Sequence, residues 1–165
     1  MNNIAIQLIT MFGIGRISKI PGTIASFVTC LFYFLCIIFN VNIIFLLITF
    51  FIILILSIIF INKYSSNFNE IDAKEIVIDE FLGQSIPILF LYYPIQKGDP
   101  ESAWIYLLTF FILFRFFDIL KPFPINLIDK KMKNGLGVVL DDLLAGIYVI
   151  IIFALFGHFF GPPFE

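Results

Sequence analysis

The chain is 165 residues long and 61% hydrophobic, with 23 phenylalanines and a mean hydropathy of +1.05. Soluble domains hold roughly 45–50% apolar residues, and one domain of this length has too little interior to hide the excess. A soluble globular protein is therefore excluded; the net charge of −2 carries little information beside the placement of the charges, and no nucleic-acid partner is expected.

In chain order, the apolar stretch Ile4–Ile14 has no basic residues before it and no small-residue cleavage site after it. It is expected to stay as a short helix over about Ile4–Phe12 at the membrane interface, not to be removed as a signal peptide. A helix needs ~20 apolar residues to cross a bilayer. Four stretches meet or approach that length: Ile24–Phe39, Ile43–Ile61, Ala103–Phe117 and Leu143–Phe160. A fifth, Phe81–Ile95, is short and contains Pro87, which suggests a tilted, kinked or partly inserted helix. Asn40-Val41-Asn42 and Lys97-Gly98-Asp99-Pro100 read as turns between spans. The expectation is a single all-α, polytopic domain over residues 1–165, with about five membrane segments. Cys30 and Cys36, six apart in an apolar stretch, read as buried hydrophobes and not as ligands or a disulfide.

Charge placement orients the spans. Nine of the ten basic residues (Arg16, Lys19, Lys63, Lys74, Arg115, Lys121, Lys130, Lys131 and Lys133) fall in alternate loops, and Lys97 alone falls in the others. The positive-inside rule puts 13–23, 62–80 and 115–142 in the cytoplasm and the C-terminus outside. Asp72, Asp79, Glu80, Asp118, Asp141 and Asp142 lie on the same side as the nine cations.

Each acidic group has an ordinary explanation to set against a functional one. Were 72–80 helical, Asp72, Glu75 and Asp79 would share one solvated stripe, with Asp72 and Asp79 about 10 Å apart along the axis. In FRFFDILKP (114–122), snorkelling and the helix dipole account for Arg115 and Lys121, and a pair with Arg115 accounts for Asp118. Asp141 and Asp142 stand where the last apolar run begins, and one of them could cap its helix. The second carboxylate at a low-dielectric boundary is left unexplained, and a divalent cation with a preference for oxygen ligands would make the pair tolerable. The glycine-rich GIGRISKIPGT (13–23) is a weak phosphate-loop pattern, with Thr23 or Ser26 as a helix cap its simpler reading.

Four blocks taken together, IPGTIAS (20–26), VIDEFLGQ (77–84), FRFFDILKPFPI (114–125) and NGLGVVLDDLLAG (134–146), resemble the phosphatidylglycerophosphatase A family in order and spacing. Ser18, Ala25, Ile78 and Asn134 depart from the family's usual residues, but no charged motif position is lost. The resemblance implies a multi-pass enzyme of the bacterial inner membrane with its site facing the cytoplasm. Such an enzyme uses Mg2+ to remove the terminal phosphate of phosphatidylglycerophosphate and leave phosphatidylglycerol. It further implies a metal site of Asp79, Glu80, Asp118, Asp141 and Asp142, with Asp79, Asp118, Asp141 and Asp142 as catalytic groups. Arg115, Lys121 and Lys19 would neutralise the phosphate. Direct attack by water is favoured, because no DxDx[TV] phosphoenzyme signature is present. A small ion or Mg2+ transporter is the alternative, and it requires polar residues to continue along a span.

Overall fold

The structure, a computed structural model, describes residues 2–17, 19–68, 71–98 and 100–160; Ser18, Asp99 and residues 161–165 lie outside that set. The described residues form α-helices joined by turns, with no strand among them. Helices α1 (Asn2–Ile9) and α2 (Ile14–Ile17) precede α3 (Pro21–Ile38), α4 (Ile43–Tyr64), α5 (Ile78–Phe90) and α6 (Tyr92–Lys97). Helices α7 (Pro100–Leu120), α8 (Ile125–Lys131) and α9 (Gly135–Phe160) complete the chain.

Helices α3, α4, α7 and α9 are each long and apolar enough to cross a membrane. Pro21 opens α3 at its first turn, where a missing N–H costs nothing, so this span starts three residues earlier than hydropathy alone suggests. Asn42 caps α4, its side chain accepting from the Ile44 N–H at 2.8 Å. Along α4, Ile44, Phe45, Ile48, Phe51, Ile52, Ile55 and Ile59 face outward. So large an apolar face is stable only against lipid.

The third segment differs from the other four. At 13 residues α5 is ~20 Å long, short of a ~30 Å hydrocarbon core. Pro87 lies inside α5 without ending it; the break falls at Leu91. Pro94 explains the position, because its ring and missing N–H cannot continue a helix over the carbonyl of Phe90. Helix α6 then takes up the path, and the Tyr92 hydroxyl donates to the carbonyl of Val41 at 3.0 Å, beyond the far end of α3. The α5–α6 pair thus runs the length of α3 as one broken pass.

Helix α9 begins eight residues before the predicted Leu143. Asn134 starts it, its Oδ1 accepting from the Gly137 N–H at 2.9 Å, while Asn62 Oδ1 accepts from the Gly135 N–H at 2.7 Å. The departure at Asn134 thereby has a structural role as a cap. Asp141 and Asp142 lie well inside the helix, so neither caps it, and that explanation of the pair is overturned.

Packing between α5 and α9 positions the chemistry. A Cβ on Gly146 would lie 2.3 Å from the Gly83 carbonyl oxygen, and one on Gly83 would lie 2.6 Å from that of Asp142. Only glycine lets these backbones approach so closely. Two apolar clusters fill the rest. One surrounds Tyr33, Tyr92, Leu107, Phe110 and Phe114, and the other joins Ile9, Ile61, Leu82 and Val139.

Residues 71–77 form turns, not helix, so the predicted stripe of Asp72, Glu75 and Asp79 does not exist. The N-terminal region holds this segment. The Val77 N–H donates to the Ile9 carbonyl at 3.0 Å, and Gly15 packs on the backbone of Glu75. Helix α1 ends at Ile9, short of the predicted Phe12, with Met11 and Phe12 in the left-handed region. Ile4, Phe12 and Ile17 are strongly exposed, as suits a segment lying on a membrane surface. Cys30 and Cys36 are free thiols buried among apolar neighbours, as expected of hydrophobes.

Candidate active site

At one end of the bundle, the first turn of α5, the last turn of α7 and the second turn of α9 converge. Asp79 and Glu80 occupy the first turn of α5, where the helix dipole favours acids. Asp118 sits in the last turn of α7, where the dipole opposes it, and Arg115 offsets that with an ion pair of 2.6 Å. The Gly83–Gly146 crossing swings Asp142 onto the α5 carboxylates. One oxygen from each of Asp79, Glu80 and Asp142 lies within 4.8 Å of the others.

Burial makes this cluster costly. Asp79 is 6% exposed and Asp142 4%. Asp79 Oδ1, Glu80 Oε2 and Asp142 Oδ2 are all buried without a hydrogen-bond partner among the described residues. Two unit charges 4.8 Å apart repel by about 3.5 kcal/mol at an effective dielectric near 20. Arg115 is the nearest compensation, 4.0 Å from Glu80 and already bound to Asp118. The Asp118 carboxylate adds its own like charge beside Asp142. Four carboxylates against one guanidinium leave a deficit that a hard divalent cation fits, since such ions take oxygen ligands. Arg115 Nε is also buried and unpartnered, an N–H left over for an oxyanion.

Asp141 is not one of the three meeting carboxylates, although it lies close enough for its charge to act on Asp79 and Asp142. Asp141 Oδ2 lies 2.6 Å from Lys121 Nζ, which also meets Asp129 Oδ1 at 3.0 Å. Burial alone would lower the Lys121 pKa; the hydrogen bonds and charges of Asp141 and Asp129 outweigh it and raise it, so the ammonium stays charged. The expected five-carboxylate set is thus divided: Asp79, Glu80 and Asp142 meet at one point, Asp118 borders it through Arg115, and Asp141 belongs to the lysine. Lys19 is exposed in the turn before α3, and no contact joins it to the cluster among the described residues.

Sequence reasoning missed three residues here. Asp129 was the lone acid in a stretch read as cationic, and its solitude among Lys121, Lys130, Lys131 and Lys133 was the available signal. Gln84 is fully buried one turn along α5 from Glu80, with both amide atoms unpartnered. Gly22 packs against the site: a Cβ there would lie 2.0 Å from Glu80 Oε1 and 3.1 Å from Arg115 Nη1. The atoms it would strike are side-chain tips, which can move. Gly22→Ala is therefore expected to fold normally, with a thermal midpoint within a few degrees of wild type, yet to lose at least tenfold in turnover by displacing Glu80 and Arg115, since misplacement by about 1 Å can cost 10²-fold. Unchanged turnover would show that Glu80 and Arg115 are not needed where they stand.

The fold and this site together define a polytopic helical membrane protein with a buried carboxylate–arginine centre at one end of its bundle. The phosphatidylglycerophosphatase A family model matches residues 7–157, and the chain belongs to that family. It is 40% identical to the phosphatidylglycerophosphatase A of Haemophilus influenzae over 146 residues, 87% of this chain and 83% of that one. Against the Escherichia coli K12 phosphatidylglycerophosphatase A it is 27% identical over 147 residues, 89% and 80% of the two chains. A Bacteroides thetaiotaomicron protein named a putative phosphatidylinositol-3-phosphatase is 33% identical over 150 residues, 88% of this chain and 89% of that one. No solved structure matches.

Proposed function

We propose that the protein is a Mg2+-dependent lipid phosphatase that hydrolyses phosphatidylglycerophosphate to phosphatidylglycerol and phosphate at the cytoplasmic face of the bacterial inner membrane. The observation that carries this reading is the meeting of Asp79, Glu80 and Asp142, two buried carboxylates and one half-buried, each with an unpartnered oxygen, beside Arg115. These three would hold the cation, which when bound supplies charge neutralisation and a more acidic water. Phosphoryl transfer otherwise depends on positioning and electrostatics. Arg115 binds non-bridging phosphate oxygens, with Nε as the free donor, and Lys121 adds a second positive charge. Water attacks phosphorus as the bond to the glycerol oxygen breaks; a carboxylate of the set accepts the water's proton and returns it to the departing oxygen. The diacylglycerol part stays in lipid beside the exposed apolar faces of the spans. Placement of nine of ten basic residues at the site's end supports the cytoplasmic orientation.

Transport is disfavoured because the motif acids gather at one end, while side chains such as Tyr92, Leu107 and Phe110 fill the bundle interior beyond them with an apolar, aromatic cluster. The relatives' names differ in headgroup, so the decisive assay offers both. Purified protein in detergent micelles with Mg2+ is expected to release phosphate from phosphatidylglycerophosphate at least tenfold faster than from phosphatidylinositol 3-phosphate. The reverse order would reassign the substrate, and release from neither would reject the phosphatase reading. A cysteine at Lys131 should react with a membrane-impermeant maleimide in inverted vesicles and not in right-side-out ones; the opposite result would reverse the orientation.

A further inference from the structure

We infer that Asp129 is a positioning residue that holds the Lys121 ammonium in place for the substrate's phosphate. The inference rests on the proposed role of Lys121 and adds a residue that neither motif nor family resemblance pointed to. Lys121 follows the last residue of α7 with φ 42°, in the left-handed region that suits glycine or asparagine. A lysine kept in such a conformation points to a use for its side chain. An ammonium has three N–H donors. Asp141 takes one at 2.6 Å and Asp129 takes another at 3.0 Å, leaving the third for an oxyanion.

The two partners are not equivalent. Asp141 is buried on α9 and immediately precedes Asp142 of the carboxylate triad, whereas Asp129 sits on α8, is partly exposed, and is backed by Lys133 at 4.0 Å. With Asp141 alone, the flexible four-carbon stem could swing about a single attachment and close the remaining donor against the carboxylates. A second anchor on a different helix removes that freedom. Asp129 thereby ties α8 to the catalytic end of α9 through one nitrogen, and a small cleft lined by Asp72, Asp129 and Lys133 opens beside it. A bridge that acts only through Lys121 has a specific signature: it loses its effect when the lysine is gone.

The test is a double-mutant cycle on purified full-length protein, reading phosphate release from phosphatidylglycerophosphate micelles at saturating Mg2+. Asp129→Ala is expected to lower kcat about tenfold with little change in KM, whereas in a Lys121→Ala background the same change should alter kcat by less than about twofold. Asp129→Asn, which keeps size but not charge, should behave like Asp129→Ala, and it carries the test should the alanine variant fail to fold. Multiplicative losses in the double variant would overturn the inference, as would an Asn variant with wild-type kcat, a silent Lys121→Ala, or a drop in kcat matched by a fall in thermal midpoint. A wild-type enzyme inactive on this lipid would reject the substrate reading and Asp129's role with it; an active wild type with independent variants would reject Asp129's role alone.

Discussion

Asp142→Asn is expected to lower turnover by about 10²–10³, roughly 2.7–4 kcal/mol of transition-state stabilisation, which is the usual cost of losing one electrostatic contact at a reacting centre. The substitution keeps the shape of the side chain and removes the charge. Asp79→Asn should behave alike, since both carboxylates are buried, share the same 4.8 Å cluster and have an unpartnered oxygen. Stability should move the other way. Removing one of several repelling carboxylates relieves the folded state, so the thermal midpoint without divalent cation should hold or rise. This opposition of activity and stability is what a site under electrostatic strain predicts. Capping does not compete as an explanation, because Asn134 starts α9 and Asp142 lies in its second turn. Near wild-type turnover in both variants would place the chemistry elsewhere.

Removing divalent cation should abolish phosphate release altogether, and adding back Mg2+ should restore it. The same ion should stabilise the fold, since a ligand that binds only the native state contributes about 2.7 kcal/mol at 100 times its Kd. Thermal unfolding with and without Mg2+ would read this shift independently of turnover. In Asp142→Asn the Mg2+-dependent shift should shrink or vanish, because one of the three converging oxygens has lost its charge. Full activity in EDTA would sink the metal reading.

Much of the architecture was readable along the chain because its causes are local. Long apolar runs in α3, α4, α7 and α9 leave the backbone no stable choice in lipid but to satisfy its own hydrogen bonds as helix. Pro21 and Asn42 mark helix starts by stereochemistry that acts within one turn. The acids and cations of the 77–84, 114–125 and 134–146 blocks were identifiable as a group because charges beside hydrocarbon demand a reason. Local reasoning failed where a neighbouring segment intervened. The 72–80 stretch looked periodic, yet contacts with Ile9 and Gly15 hold its first part in turns. The last helix looked as if it began at its first wholly apolar residue, but Asn62 and Asn134 begin it much earlier.

Which carboxylates meet was decided only by packing. Asp79 and Glu80 join Asp142, and not the equally acidic Asp141, because the Gly83–Gly146 contact sets the rotation and depth of α9 against α5. Successive residues on a helix point about 100° apart, so the same crossing that sends Asp142 to the triad sends Asp141 to Lys121 and Asp129. No spacing within the DD pair encodes that choice. Composition and charge order act through each residue's own preference for lipid, water or helix, and they can be read one segment at a time; the division of labour between two adjacent aspartates comes from a backbone contact between glycines more than sixty positions apart.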